Sequence, residues 1–339
     1  MKRIRTIFLL AATVTATAQA WDALPQQAPS PVDNPTTVEK VELGKMLYFD
    51  PRFSATGTVS CFSCHNVMEG GDDHRPVSIG VHGQKGGRNA PTVWNAAFLS
   101  SQFWDGRAVS LEEQAKGPVT NPVEMGMADL DTAIARIRAI PGYRPYFEAA
   151  FGAGDTVTMD NAAKAIAAYE RTLITPNSAY DRYVNGDEGA LSAQARRGMQ
   201  AFGEIGCASC HTGAAFAGPA MGAGVPVLMK FPMFRDLGEL EKYGLLEDQG
   251  RYGVTGNKVD EHVWRVPTLR NLVYTAPYFH NGAVKSLGEA VTVMGRAQLN
   301  RKLDPQQVSD IVAFLESLTG EFPAQTMPRL PPTPGDLLE

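Results

Sequence analysis

Residues 61 to 65 read CFSCH, and residues 207 to 211 read CASCH. In each stretch a histidine directly follows a pair of cysteines three positions apart, although the whole chain has only four cysteines and six histidines. This spacing is typical of covalent haem c attachment, in which both thiols bond to the porphyrin and the histidine binds the iron. The sequence therefore predicts two haem c groups, attached and ligated through Cys61, Cys64 and His65 and through Cys207, Cys210 and His211.

Two other uses of the cysteines explain the pattern less well. An exported protein can contain disulfides, but two disulfide bonds do not account for a histidine after each cysteine pair. A zinc site needs four ligands, and neither pair has a second CxxC or a His-x-His motif nearby. Covalent haem is thus the favoured interpretation for both stretches.

The first twenty residues, MKRIRTIFLLAATVTATAQA, begin with three basic side chains, continue with a short apolar run and end with Ala18-Gln19-Ala20. This order is typical of a secretory signal peptide with a small-residue cleavage site. The apolar run is too short to span a bilayer, and no later segment is apolar enough to do so. We therefore expect residues 1–20 to be cleaved and the mature protein to be periplasmic, since haem c is attached outside the cytoplasm.

The charge of the mature chain is acidic. Of the 31 basic side chains, 28 remain after cleavage against 36 acidic ones, which gives a net charge near −8. This balance argues against nucleic acid as a partner. It favours association with a protein that has a basic contact face.

Helical periodicity is common in the chain and strand signals are scarce, so we predict a mainly α fold. The two haem motifs lie 146 residues apart, which suggests two cytochrome c-like domains, each with one haem. We expect an N-terminal domain over 21–185, a C-terminal domain over 186–320 and an extended tail over 321–339. The patterns predict helices over 37–48, 130–139, 161–173, 192–206 and 305–318.

Four segments outside the haem motifs carry further information. They are SIGVHGQKGGRNAPTVWNAAF (78–98), QFWDGR (102–107), AKGPVTNPVEMGM (115–127) and VPTLRNLVYTAPYFHNGAVKSLGEAVTVMGRAQL (266–299). In order and spacing they resemble the bacterial di-haem cytochrome c peroxidases, and the resemblance extends from about residue 41 to residue 318. It implies two helical haem domains, a peroxidatic haem in the first and an electron-entry haem in the second.

The resemblance implies that a histidine in the loop after the first haem motif binds the first iron at rest, and His82 is the best match. In some members of the family this histidine directly follows SIG, whereas here Val81 intervenes. Two alternatives therefore stay open: His82 binds the iron, or the site is permanently open. His74 is a second candidate, although a surface role suits it better.

Two further residues match family positions, and a third is expected to act at the first haem. Glu124 matches the catalytic glutamate, which moves a proton between the two oxygens of peroxide; a carboxylate can do so when burial brings its pKa near working pH. Gln114 is expected to help hold peroxide. Trp104 matches a tryptophan between the two haems, where it could lie on the electron path or pack the domain interface.

Met294 matches the distal ligand of the second haem, where a thioether raises the reduction potential. Related enzymes that oxidise tryptophan residues of a partner protein carry tyrosine at this position. The family also binds calcium between the domains. The resemblance implies a side-chain ligand from Asn89 and backbone carbonyl ligands from Thr275 and Pro277, and oxygen ligands of this kind suit calcium.

These observations predict an enzyme that reduces hydrogen peroxide to water. Its electrons would come from a small cytochrome c or a blue copper protein, and the resemblance suggests a homodimer. Two alternatives are an enzyme that oxidises residues of a partner protein and a plain di-haem electron carrier. Peroxide turnover separates the peroxidase from the plain carrier.

Overall fold

The computed structural model describes residues 22–218, 226–235 and 238–335, so the predicted signal peptide lies outside the described residues. Helices dominate these ranges, and their regular sheet consists of two short antiparallel strands, in agreement with the predicted mainly α fold. In the described ranges, no helix combines the length and the apolar character needed to cross a membrane.

The helices and strands follow one another along the chain with long loops between them. The helices are α1 (Val38–Phe49), α2 (Cys61–Cys64), α3 (Leu111–Gln114), α4 (Gly117–Thr120), α5 (Leu130–Arg138), α6 (Arg144–Phe151), α7 (Met159–Glu170), α8 (Ala179–Val184), α9 (Ala193–Ile205), α10 (Gly238–Lys242), α11 (Tyr252–Thr255), α12 (Leu287–Leu299) and α13 (Pro305–Glu316). The strands are β1 (Leu228–Lys230) and β2 (Val263–Arg265).

Side-chain caps explain where the longer helices begin. Ser192 accepts a hydrogen bond from the backbone N–H of Ala195 and starts α9, and Asp304 starts α13 with proline at the first helical position. The five predicted helices are confirmed, with ends displaced by up to three residues. The largest displacement is at the end of α7, which stops at Glu170 instead of residue 173. The same helix starts two residues early because Thr158 supplies its N-cap.

The N-terminal part of the chain has its core where α1 packs against α7. The two backbones touch at Gly44, because a Cβ there would overlap the carbonyl oxygen of Ala165. Leu43, Leu47 and Tyr48 lie in this contact, fully buried. Each buried aliphatic side chain of this kind contributes roughly 1.5–3 kcal/mol of transfer free energy to folding. The contact fixes the wall against which the first haem motif lies.

The C-terminal part repeats this construction with α9 and α13. Gly198 permits the close approach, since a Cβ there would overlap the backbone carbonyl of Asp310. Phe202, Phe216 and Phe314 fill the interior with edge-on ring contacts. The second haem motif directly follows α9, so this packing positions it.

The segment after α13 runs back along the N-terminal core without regular structure up to residue 334. Phe322 packs edge-on against Trp94 with ring centroids 5.0 Å apart. Further along, the Arg52 guanidinium donates a hydrogen bond to the carbonyl oxygen of Pro331. The two halves of the molecule are thus joined by the end of the chain as well as by their direct contact.

Candidate functional site

A large cavity lies beside each haem motif. The first is lined by Cys61, Cys64 and His65 and contains about 1700 Å³ of space that protein atoms do not fill, open to solvent on one side. The second is lined by Cys207, Cys210 and His211 and contains about 1670 Å³. Each of these spaces includes a part open to solvent, and each is bordered by all three residues of its CxxCH motif, as attachment of a haem there requires.

His65 is held in the tautomer that an iron ligand needs. Its Nδ1 lies 3.0 Å from the carbonyl oxygen of Pro91 and donates to it, so Nε2 is the nitrogen that can bind iron. Burial lowers the pKa of His65, which keeps the imidazole neutral. His211 makes the equivalent contact, with Nδ1 2.9 Å from the carbonyl oxygen of Phe216. Both histidines therefore fit haem iron.

The four cysteines are free of disulfide bonds and lie on the cavity walls. Burial raises the pKa of Cys61 to about 12 and that of Cys64 to about 11, so these two thiols are neutral when nothing is attached to them. Thiols on the wall of a large cavity, each pair followed by a neutral imidazole, fit thioether bonds to haem.

One face of α12 forms a wall of the second cavity. Ala290, Met294 and Gln298 recur every fourth residue on this face, with Val291 and Gly295 beside them. The thioether of Met294 therefore lies in the same cavity as His211. This arrangement brings together the two side chains that the sequence predicted as axial ligands of the second haem.

Glu124 and Gln114 line the first cavity together with His65. Asn121 donates a hydrogen bond from its side-chain amide to Oε1 of Glu124 over 2.8 Å. Burial raises the pKa of Glu124, while the positive charge of Arg107 and the Asn121 hydrogen bond oppose this shift. A partly buried carboxyl with a raised pKa can both accept and donate a proton.

His82 is exposed and is not among the residues that line the first cavity. Val81 causes this orientation, because its side chain is buried in the core next to Gly126. Its N–H also donates to the carbonyl oxygen of Glu124 over 2.9 Å. Gly80 allows the close approach, since a Cβ there would overlap the backbone of residues 123–124. His74 lies on the surface, where it pairs with Glu69.

Trp104 lines both cavities and therefore lies between the two haem motifs. Its indole Nε1 donates to the carbonyl oxygen of Asn89 over 2.8 Å. Its ring meets the imidazole of His280 edge-on, with centroids 6.4 Å apart. The ring is thus held in a fixed position between the two cavities.

Asn89, Thr275 and Pro277 all line the second cavity, and Asn89 also lines the first. The Asn89 side-chain nitrogen donates to the carbonyl oxygen of Arg75, which leaves its side-chain oxygen as the atom suited to a cation. Among the described residues no group of three or more His, Cys, Asp or Glu side chains is arranged to hold a metal ion. A calcium site here would accordingly depend on amide and backbone oxygens.

Two features of the site had no signal in the sequence. Glu170, the last residue of α7, lies on the wall of the first cavity and is buried. Trp264 stacks on His280 with ring centroids 4.2 Å apart, beside the second cavity. Both follow from tertiary packing, and neither residue belongs to a motif whose spacing indicates chemistry.

Comparison with known proteins agrees with this geometry. Residues 38–189 match the family model described as di-haem cytochrome c peroxidase, and residues 195–319 match the model described as cytochrome c. The chain is 46% identical over 310 residues to cytochrome c551 peroxidase of Pseudomonas aeruginosa, covering 91% of this chain and 86% of that protein. It is 42% identical over 342 residues to cytochrome c551 peroxidase of Nitrosomonas europaea, covering 99% and 97%.

The fold also matches solved structures. A MauG-like protein associated with microbial copper homeostasis superimposes with a TM-score of 0.76 at 31% sequence identity, covering 89% of this chain and 96% of that one. Together, the two motifs, the two cavities and these relatives assign two haem c groups to two cytochrome c-type domains. The chain belongs to the di-haem cytochrome c peroxidase family.

Proposed function

We propose that this protein is a cytochrome c peroxidase that reduces hydrogen peroxide to water with electrons from a small redox protein. Relatives at 42–46% identity carry the name cytochrome c551 peroxidase and align with most of this chain. The observation that carries the proposal is the first cavity, which Glu124 and Gln114 line together with the histidine of a CxxCH motif. An electron carrier needs no carboxyl of this kind.

The residues of the first cavity divide the work among them. Cys61 and Cys64 would attach the haem, and His65 would bind its iron. When bound, the haem would supply the redox chemistry that reduces peroxide. Glu124 accepts a proton from one peroxide oxygen and returns it to the leaving oxygen, while the Gln114 amide orients the substrate.

The second cavity is the electron entry point in this proposal. Met294 and His211 hold the second iron, and a thioether ligand favours its reduced state. Trp104 lies between the cavities and is the aromatic ring through which electrons pass from the second site to the first. The same Met294 disfavours the alternative activity, oxidation of a partner protein, because the resemblance associates tyrosine with that activity.

We also propose that the first cavity is open to peroxide before any electron arrives. His82 is exposed and does not line the cavity, and the buried Val81 side chain holds the loop in place. Binding of His82 to the iron would require Val81 to leave the core and the Val81–Glu124 hydrogen bond to break. Neither step is needed for peroxide to reach Glu124.

A calcium ion between the domains, a periplasmic location and a homodimeric state complete the proposal. Calcium is supported by the three oxygen donors of Asn89, Thr275 and Pro277, which line one cavity. If it is bound there, Asn89→Ala lowers calcium affinity while both haems stay attached, as calorimetry can measure. The location and the dimer are supported by the family resemblance and by residues 1–20.

A stoichiometric assay tests the proposed activity. A reduced small cytochrome c is mixed with the enzyme and a limiting amount of peroxide. The donor oxidised and the peroxide consumed are then quantified. Two donor molecules should be oxidised for each peroxide consumed, because water formation takes two electrons. Donor oxidation that does not depend on peroxide, or no oxidation above the rate without enzyme, contradicts the proposal.

A further inference from the structure

Glu170 is a buried carboxyl that the proposed mechanism does not use. It is the last residue of α7, its exposed fraction is 5%, and it lies on the wall of the first cavity. Its Oε2 atom is fully buried and has no hydrogen-bond partner among the described residues. A carboxyl in this situation is costly to ionise and needs a reason to be there.

The neighbouring arginine does not neutralise Glu170. Arg171 directs its Nη2 to Oε1 of Glu112 over 2.7 Å, and its Nη1 is itself buried without a partner among the described residues. Glu170 thus has a cation nearby but no direct salt bridge to it.

The charged and titratable groups around Glu170 come from four helices and one loop. They are Arg171 and Tyr169 beside it, Tyr48 of α1, Cys61 of α2, Glu112 of α3, and Glu124 of the loop after α4. The negative charges of Glu170 and Glu124 both raise the pKa of the Cys61 thiol. Burial raises the pKa of Glu170 to about 8; Glu112 adds to the shift and Arg171 opposes it. Around pH 8 the carboxyl is therefore poised between its two protonation states.

We propose that Glu170 takes up the proton that accompanies reduction of the first haem. An electron that enters this cavity adds one negative charge beside the Cys61 attachment point. In a buried site of low polarity this charge raises the proton affinity of the nearby carboxylate. The electron comes from the small redox protein and the proton from solvent, so one O–H bond forms at Glu170 and the net charge of the cavity stays constant.

This role is distinct from that of Glu124. Glu124 is partly exposed, accepts a hydrogen bond from Asn121 and is the carboxyl assigned to proton transfer with peroxide. Glu170 is buried near Cys61, where the haem is attached. It would act through its charge alone, by balancing the charge of the electron on the haem. The test of this inference does not use peroxide turnover. The inference can therefore fail while the proposed function stands, and the proposed function can fail while the inference stands.

A potentiometric titration of the holoenzyme tests the proposal. The midpoint potential of the first haem is measured from about two pH units below to about two units above the pKa near 8 in the wild type, Glu170→Gln and Glu124→Gln. We expect the potential to fall as pH rises in the wild type and in Glu124→Gln, and to become flat in Glu170→Gln. A slope that persists in Glu170→Gln overturns the proposal.

Infrared difference spectroscopy on the wild type provides a second test if Glu170→Gln does not fold. Reduction of the first haem above the pKa of Glu170 should produce the carbonyl band of a newly protonated carboxyl. Where the variant does fold, with both haems attached, this band is absent from it and present in Glu124→Gln. A wild-type spectrum without such a band overturns the proposal.

Discussion

The backbone N–H of Val81 donates a hydrogen bond to the carbonyl oxygen of Glu124 over 2.9 Å. This contact joins the loop that carries His82 to the loop that carries the proposed catalytic carboxyl. Because the Val81 side chain is buried, the first loop is fixed at the position just before His82. The direction in which His82 points and the position of Glu124 are therefore set together.

Truncation of Val81 should loosen this docked loop. Val81→Ala removes about 1.5 kcal/mol of buried apolar contact, which corresponds to roughly a tenfold change in a local opening equilibrium. Amide hydrogen exchange of residues 80–84 should accelerate by about that factor. Val254→Ala is the matched control, since Val254 is 51% exposed. Unchanged protection in Val81→Ala would show that the loop is held by something else.

Replacement of the proposed catalytic carboxyl should remove activity and leave the cofactors in place. Glu124→Gln keeps the size of the side chain but cannot exchange a proton, so we expect peroxide turnover to fall by about 10²–10⁴-fold. Absorption spectra should still show two haems per chain. Glu188→Gln, at an exposed position, serves as the control. Turnover within a few-fold of wild type would remove Glu124 from the mechanism.

Replacement of Arg107 should shift the acid limb of the profile of kcat/KM against pH. Burial raises the pKa of Glu124 and the Arg107 charge opposes that shift. We therefore expect the pKa of Glu124 to be higher in Arg107→Gln. Activity that needs the Glu124 carboxylate should then be lost at a higher pH when the solution is acidified. Arg107→Lys keeps the charge and should leave the profile near that of wild type. A profile of kcat/KM against pH that does not move in Arg107→Gln contradicts this account.

The second haem should lose potential when its thioether is replaced. Met294→His substitutes a ligand that favours reduced iron less, so the midpoint potential of that haem should fall. The first haem should keep its own potential, because Met294 lines only the second cavity. Spectroelectrochemical titration separates the two haems. An unchanged second potential would mean that Met294 is a packing residue.

Glu170 should make stability depend on pH. Its pKa rises from an ordinary value of 4.5 to about 8 in the folded chain, so the folded state binds a proton that the unfolded state releases between these values. The resulting stabilisation is complete below pH 4.5 and is lost as pH rises through 8. The unfolding temperature of wild type relative to Glu170→Gln should fall across this window. A constant difference would show that Glu170 does not titrate there.

Local patterns in the sequence predicted the haem motifs and the long helices because their causes are local. The CxxCH spacing, the Ser192 cap and the Asp304 cap each lie within a few residues. The orientation of His82 could not be predicted in this way. It depends on the burial of Val81 against Gly126, which lies 45 positions further along the chain.

The raised pKa of Glu170 also could not be predicted from local patterns in the sequence. This residue closes an Ala-rich helix whose sequence indicates only helical propensity. The pKa of Glu170 is raised by burial at a cavity wall and by the negative charge of Glu112, which belongs to a different helix. A pattern based on spacing within one segment carries no information about the charges that other segments bring nearby.

The measurement that tests the central claim most directly is peroxide turnover by two forms of one preparation. One form is fully oxidised, and the other is reduced by one electron beforehand with calcium present. A short reaction time limits conversion between the two forms. Because Val81 holds His82 outside the first cavity, the account predicts equal initial turnover in both. Turnover that begins only after prior reduction would contradict it and would show that His82 blocks the first iron at rest.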